Sequence, residues 1–496
     1  MEVDETSHLN GGNFRINMDG RKIIKHFTTI GIGTVLGMIV GLLSTMTFTR
    51  MVDTAVYGKL SIFTLYGNIA ETVLVIGLDQ ALMRFYYNDT SIVYKHSLLL
   101  KCIKPPFVLS VIAAVSFMLL VTANLIPFEL DRIGAALLCA LSILLVGNRF
   151  SVLMLRLEYR SKLYSLMNVL QKATYLSCAV LLLSMNHVEE LHSLMIAMVL
   201  SYFVVVLLSC IAMRRIWLCG MKDDVSVPTY RKLINYSWPF VLSMGITMFF
   251  NAIDKLSLQH FCDYSVVGVY TSTLNLVALF SVLQITFTSL WAPLTVEHYQ
   301  KEPNDTSLYI RGNQVITILM FSLGFVLIAS KDLFALILGE KYREAAYILP
   351  FLIFNPIMYT ISETTVIGIT FRKKSIYHVI IAAVSCLVNL CGNTILVPRI
   401  GAKGAAISTG LSYILFFTLR TIFSQKYYPV KFELWKIYTL VVLAIGFSAY
   451  NTFVLFNYKV LIGLALCLAA IILLYRETVG FMISEIQKLI GSFFNH

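Results

Sequence analysis

Charge is scarce in this chain of 496 residues: Asp, Glu, Lys and Arg make up only 13% of it. A soluble protein of this size carries about 25%, so an ordinary water-soluble domain is excluded. Cysteine is present but lacks any pattern. Its nine copies include no C-x-x-C pair, and most sit inside apolar runs. This argues for small buried residues rather than a disulfide framework or a zinc site. The nine histidines form no H-E-x-x-H or similar ligand pair. No large polar segment interrupts the chain, and no His or Asp cluster suggests a catalytic centre. A cofactor, a resident metal and an enzymatic role are therefore not expected.

What is present is apolar length. Hydrophobic residues make up 58% of the chain, in runs long enough to cross a bilayer, which takes about 20 residues. Pro105 and Pro106 open a run that reaches Ile126 without a charge. The runs predict helices near 27–49, 59–82, 105–126, 133–155, 164–185, 191–213, 235–259, 266–291, 312–330, 346–370, 375–397, 404–424, 434–456 and 458–475. After the last, Phe481, Met482, Ile486, Leu489, Ile490 and Phe493 recur at helical spacing. They predict a short amphipathic helix on the membrane surface. The first run is long for a signal-peptide core and lacks an A-x-A-like site, so it is read as a retained helix.

The net charge of +12 raises nucleic acid as a partner, but its distribution argues against that. Basic residues lie mostly in loops between apolar helices, 26 on the N-terminal side against nine on the other, which places both termini in the cytoplasm. The basic stretch from Arg214 to Ile234, with Pro228, is the natural joint between two lobes.

Those lobes read as a duplication. Asp53 to Gly58 reappears as Asp263 to Gly268, an offset of 210. Arg160, Lys162 and Tyr164 resemble Arg372, Lys374 and Tyr377. Each unit has six helices, so both copies enter from the same side as parallel repeats. The expected fold is an all-α membrane protein of about 14 transmembrane helices. It divides into a cytoplasmic arm (1–26), an N-terminal six-helix lobe (27–213), a cytoplasmic linker (214–234), a C-terminal six-helix lobe (235–424), and two extra helices with an amphipathic tail (425–496). Gly58 and Gly268, at helix starts, suit a tight turn or a hinge. Gly401, Gly404, Ala405 and Ala406 suit close helix packing.

Charges inside the spans are the candidate functional residues. Each costs about 2.5–3.5 kcal/mol on insertion scales, so each is expected to face a partner or a wet cavity. Arg149 and Lys172 lie several residues inside their helices and suit substrate binding, a structural ion pair or snorkelling. Asp254 and Lys255 are adjacent, pointing about 100° apart on a helix. One is free to face a cleft while the other finds a partner on another helix. Both also lie near a helix end, where a solvated pair fits equally. Arg84 stands near a cytoplasmic mouth or on a solvated helix end, and Arg420 reads as snorkelling. Glu71 and Glu363 suit ion coupling, as does Asp254; a hydrogen-bonded neutral carboxyl fits Glu71 and Glu363 equally. These charges do not follow the repeat. At the offset of 210, Glu71 maps to Ser281, Arg84 to Leu294, Asp254 to Ser44 and Lys255 to Thr45.

Several motifs combine over nearly the whole chain. Tyr57-Gly58 is followed by Gly77-Leu78-Asp79-Gln80 and Arg84-Phe85-Tyr86-Tyr87. Tyr236, Trp238-Pro239, Asp254-Lys255, Val267-Gly268-Val269-Tyr270 and Trp291-Ala292-Pro293 come next. Gly339-Glu340-Lys341-Tyr342 and Pro398 with Gly401 and Gly404-Ala405-Ala406 complete the series. In order and spacing the chain resembles the bacterial polysaccharide and oligosaccharide flippases of the multidrug/oligosaccharidyl-lipid/polysaccharide exporter superfamily. The resemblance implies export of undecaprenyl-pyrophosphate-linked oligosaccharide repeat units across the bacterial cytoplasmic (inner) membrane, by alternating access between two lobes. It implies lipid-linked oligosaccharide and membrane lipids as partners, with a proton or sodium ion and a polysaccharide polymerase complex as further ones. Peptidoglycan-precursor flippases of the superfamily place arginines in the first helix; residues 27–49 hold none, which argues against that branch. The alternatives are a small-molecule exporter on the same fold and, from another class, a membrane-embedded polysaccharide polymerase or acyltransferase. The latter two often use a sizeable outer loop or a catalytic cluster, and neither is present here.

Overall fold

The computed structural model describes residues 20–125, 131–219, 226–372 and 374–494, with only the backbone at 20–30, 32, 485–486 and 488–494. The first 19 residues of the arm and positions 220–225 of the linker lie outside the described residues. So do the side chains of Ile486, Leu489, Ile490 and Phe493 in the predicted amphipathic tail.

The described residues form helices and no strand. In chain order, α1 is Gly20–Met51, α2 Thr54–Val75, α3 Leu78–Phe85, α4 Ile92–Thr122, α5 Arg132–Leu157, α6 Ser161–Met185, α7 Glu190–Ala212 and α8 Arg214–Trp217. Next come α9 Tyr230–Phe261, α10 Tyr264–Lys301, α11 Ser307–Ala329, α12 Lys331–Ile337, α13 Ala345–Leu352, α14 Phe354–Thr365 and α15 Ile367–Phe371. The chain ends with α16 Ile376–Gln425, α17 Leu434–Phe453, α18 Tyr458–Leu474 and α19 Arg476–Phe494. A backbone in hydrocarbon has no water to bond, so helices satisfy their own N–H and C=O groups. Eleven helices are long and apolar enough to span, or thirteen with two bent pairs counted. One of the eleven, α16, has 50 residues. A straight helix of that length would extend about 75 Å at about 1.5 Å per residue, far beyond a hydrocarbon core of about 30 Å. Instead, α16 turns back at Ile400 and Gly401, where Gly401 takes φ 56°, a conformation that favours glycine. Counted as two passes, α16 brings the total to the fourteen runs of the sequence.

Predicted segments differ in detail, α10 running on to Lys301 against an expected end at 291. Residues 59–82 are not one helix: Ile76 and Gly77 take positive φ, and α2 and α3 bend by 53°. Residues 346–370 are the short helices α13, α14 and α15. The helix expected from 105 begins at Ile92, where the Ser91 hydroxyl accepts from the Tyr94 N–H, and Pro105 and Pro106 lie inside it. Prolines are tolerated in membrane helices because neighbouring groups satisfy the freed backbone.

Two groups of helices meet along α2 and α10. A side chain at Gly58 would collide with the Tyr264 carbonyl, and one at Gly268 with the Thr54 carbonyl. Gly58 and Gly268 sit inside regular helix, so the turn reading gives way to close backbone approach. One turn on, the Ser61 and Thr271 hydroxyls bond at 2.7 Å. Thr54 with Tyr264, Gly58 with Gly268 and Ser61 with Thr271 are each 210 positions apart, so repeat-related surfaces pack on each other as in an isologous interface.

This seam is sealed further at its Asp53 end. The Gly339 N–H donates to Thr49 Oγ1 at 3.2 Å, Arg50 to the Ile337 carbonyl at 3.1 Å, and Lys341 pairs with Asp53 at 3.1 Å. Near the other end, which carries Arg84, the break at Gly77 lets α3 dock on α9. A Cβ on Gly77 would sit 2.8 Å from the Ser237 carbonyl. The last helix, α19, turns from α18 by 88°.

Candidate functional site

A cavity of about 340 Å³ lies between the two groups of helices. Lys172 from α6 and Lys255 from α9 both line it, with Thr45, Tyr57, Tyr202 and Asn275. Asn275 Nδ2 donates to Thr45 Oγ1 and to the Tyr57 hydroxyl, each at 3.0 Å, which fixes the polar wall. Lys172 reaches the cavity because α1 is bare beside it: a Cβ on Gly41 would come within 3.5 Å of the Lys172 ammonium. Neither lysine has an acidic partner of its own among the described residues. The nearest carboxylate to Lys255 is its neighbour Asp254, which is bonded elsewhere. Thr45, the position 210 before Lys255, lines the same cavity. The walls therefore follow the repeat, while the charge does not.

Asp254 points away from Lys255, into the second group. It is only 7% exposed. Its Oδ2 accepts from the Tyr270 and Thr409 hydroxyls, both at 2.6 Å. Its Oδ1 accepts from Asn389 Nδ2 at 3.0 Å and Asn393 Nδ2 at 2.8 Å. This overturns the solvated-pair reading of Asp254 and Lys255, because the helix end is covered by α10 and α16. The Asn393 Oδ1 beside this carboxylate is buried without a donor. Sequence reasoning missed all four partners. The one available signal was Asn389-x-x-x-Asn393, two amides on one face of an apolar helix.

Arg149 reaches across from α5 to α3. Its Nη2 and Nε donate to Asp79 Oδ2 at 2.7 and 3.0 Å, and Gln80 donates to the same oxygen at 2.9 Å. Asp79 is almost fully buried, and its Oδ1 has no partner. Glu71 lies within Coulomb reach of both. Arg149 is 38% exposed, so it forms a structural ion pair and still shows a face to its surroundings. Arg84 is exposed at the end of α3. Arg149, Glu71 and Arg84 are not among the residues lining the cavity of the two lysines.

A second chamber, of about 680 Å³, opens inside the second group of helices. Glu363, Arg420, His378, Tyr359, Tyr413 and Asn251 are among its lining residues. Arg420 is 5% exposed, which overturns the snorkelling reading. Its Nη1 donates to Glu363 Oε1 at 2.8 Å and to the Ser362 hydroxyl. Its guanidinium lies 5.3 and 5.2 Å from the Tyr359 and Phe416 rings. The partner that holds Arg420 inward is Glu363, 57 residues earlier in the chain. Glu363 thus stands in an ion pair with Arg420, a partner that the sequence reading did not name.

Comparisons with known proteins agree on the fold. The family described as "Polysaccharide biosynthesis protein" matches residues 23–298. A relative from Haloferax volcanii, named "Probable low-salt glycan biosynthesis flippase Agl15", is 23% identical over 362 residues, covering 69% of this chain and 72% of its own. Among solved structures, the lipid II flippase MurJ in an inward closed conformation superposes with a TM-score of 0.68 at 15% identity, covering 91% of this chain and 99% of that one. A MATE transporter in complex with MaL6 gives 0.55 at 14% identity, over 81% and 95% of the two chains. An outward-facing multidrug resistance MATE transporter of the MOP superfamily gives 0.54 at 16%, over 82% and 95%.

Proposed function

This chain belongs to the polysaccharide biosynthesis protein family, and from that premise we propose that it is a flippase. Its cargo is the undecaprenyl-pyrophosphate-linked oligosaccharide repeat unit of a surface polysaccharide. It carries that cargo across the bacterial cytoplasmic membrane by alternating access. The observation that carries this reading is the pair of lysines, without acidic partners among the described residues, in the cavity between the two groups of helices. A pyrophosphate must cross a low-dielectric core, where Coulomb attraction is strong. Lys172 and Lys255 come from the two sides of the seam, so an anion held between them is gripped by both lobes. With the termini in the cytoplasm, the Asp53 end faces outward. The contacts of Gly339 with Thr49 on α1 and of Lys341 with Asp53 just before α2 then close the outer gate, and the described state awaits cargo from the cytoplasmic side.

Asp254 suits the coupling ion, a proton or sodium. Four donors hold its carboxylate, two of them amides whose own oxygens could turn to a cation. The unpartnered Asn393 Oδ1 is one of those oxygens. The relative from Haloferax volcanii carries flippase in its name, which supports the reading by analogy.

Liposomes with the purified chain and a labelled lipid-linked repeat unit test it. The wild type moves the label across the bilayer. Lys172→Ala and Lys255→Ala each lower the rate by about 10–100-fold, the worth of a hydrogen bond to a charged group. Full transport by the double variant at normal protein level would sink the proposal. In cells lacking the chain, lipid-linked repeat units should accumulate on the cytoplasmic face.

A further inference from the structure

Five charged side chains converge on a cavity of about 440 Å³ at the Arg84 end of the first group of helices. Lys95 comes from the start of α4, Glu158 and Arg160 from the turn between α5 and α6, and Arg214 and Arg215 from α8. The walls are tied down. Lys95 pairs with Glu158 at 2.6 Å, and the Tyr86 hydroxyl donates to the same oxygen at 2.7 Å. Arg160 donates to the Ala212 carbonyl at 3.0 Å. His96 Nδ1 lies 2.6 Å from the Ile216 carbonyl, which pins α8. Burial pushes the Glu158 carboxyl up, but bonds from Lys95 and Tyr86 outweigh it and hold it below its usual range. Glu158 is therefore ionised at neutral pH. Arg214 and Arg215 are exposed and have no acidic partner among the described residues. Four cations thus face one carboxylate.

The fold does not demand this cavity. Arg372 is the repeat counterpart of Arg160. There the neighbouring Phe371 stacks on Tyr299 at 4.1 Å, with Tyr309 and Tyr428 packed around it at 5.9 and 5.5 Å. Aromatic rings meet in the first group as well, Tyr159 with Tyr87 at 6.2 Å and Tyr87 with Tyr86 at 5.3 Å, but beside them cations line an open space.

We propose that this cavity binds the phosphate-bearing headgroup of an anionic lipid. Its position at helix ends is the depth at which headgroups lie, and basic pockets between membrane helices recognise such groups. Guanidinium groups suit phosphate oxygens by their forked geometry. The same chemistry is offered by a bilayer phospholipid and by the pyrophosphate of a polyprenyl-linked glycan.

Native mass spectrometry of the full chain in detergent, titrated with phosphatidylglycerol or with zwitterionic phosphatidylcholine, tests the assignment. The wild type should hold phosphatidylglycerol at least tenfold more tightly than phosphatidylcholine. Arg214→Ala with Arg215→Ala should lose at least tenfold of that affinity. Both side chains are exposed, so this variant is expected to fold. Arg214→Glu with Arg215→Glu, checked for a monodisperse profile, should abolish the preference. Equal binding of the two lipids, or wild-type affinity in both variants, would overturn the proposal. Undecaprenyl pyrophosphate at equal concentration separates the sources: displacement of phosphatidylglycerol assigns the cavity to a polyprenyl ligand, and retention assigns it to a bilayer lipid. Binding is read without transport, so the result leaves the flippase reading untouched.

Discussion

The two cavities hold their charges in opposite ways. Between the groups of helices, Lys172 and Lys255 line a space, with no acid bonded to them among the described residues. Inside the second group, Arg420 faces a larger space but is bound to Glu363 and Ser362 and covered by two rings. A buried cation with a partner belongs to the scaffold, because its removal strands the partner. A cation with no partner is costly to the scaffold, which is the ground on which we propose a ligand for it. The contrast sorts the intramembrane charges better than their depth along the sequence does.

The strongest way to break this contrast is to remove each cation and measure stability. Arg420→Met should lower unfolding stability by about 3–5 kcal/mol, since Glu363 is left buried and unpaired. Adding Glu363→Gln should recover most of that loss. Lys172→Met should leave stability unchanged or raise it, because no partner is stranded and the cost of an unpaired cation is removed. Thermal unfolding in detergent reads all four proteins. If Lys172→Met is as destabilised as Arg420→Met, the lysine has a structural role and the distinction fails.

The seam of α2 and α10, which lines the cavity of the two lysines, offers a second, smaller test. At Gly58 a Cβ meets the Tyr264 backbone carbonyl, which cannot swing aside as a side chain would. Gly58→Ala should cost about 1–3 kcal/mol, the usual range for overpacking. Gly245, on the α9 wall of the second group, has nothing within 4 Å of a built Cβ. Gly245→Ala should be neutral or stabilising by up to about 1 kcal/mol, since alanine is the better helix former. A harmless Gly58→Ala would mean that the two groups of helices are not held together along α2 and α10.

Much of the fold was legible in the sequence, because hydropathy reports burial in lipid directly. All fourteen apolar runs have a helical counterpart. The offset of 210 was legible too, but that repeat-related surfaces meet, as Ser61 and Thr271 do, was seen only in the fold. The partners of the buried charges were not legible. Asp254 is held by groups 16 to 155 residues away, and Arg149 by Asp79, 70 residues away. Hydropathy carries no information about which polar side chain faces which. Arg420 shows the cost: near a helix end it reads as snorkelling, and only Glu363 explains its inward course. Lys172 and Lys255 were found as single charges, and their convergence on one cavity needed the fold.

The weakest effect belongs to the ion pair that closes the seam. Lys341 and Asp53 are paired at 3.1 Å but are 68% and 53% exposed. An exposed pair of this kind contributes about 0.2–1 kcal/mol and is screened by salt. The hydrogen bond from Lys341, then that from the Thr54 N–H, holds the Asp53 carboxyl below its usual range. Its folded value thus lies under the unfolded value of about 3.9. The contribution is therefore complete above about pH 4 and fades as pH falls through the folded value. Lys341→Ala should raise the labelling rate of a Thr49→Cys probe at most about fivefold at neutral pH, the factor set by 1 kcal/mol. The rise should shrink in high salt. A larger rise would show that this pair, and not the glycine seam, holds the Asp53 end of the two groups of helices together, by electrostatics and not by backbone packing.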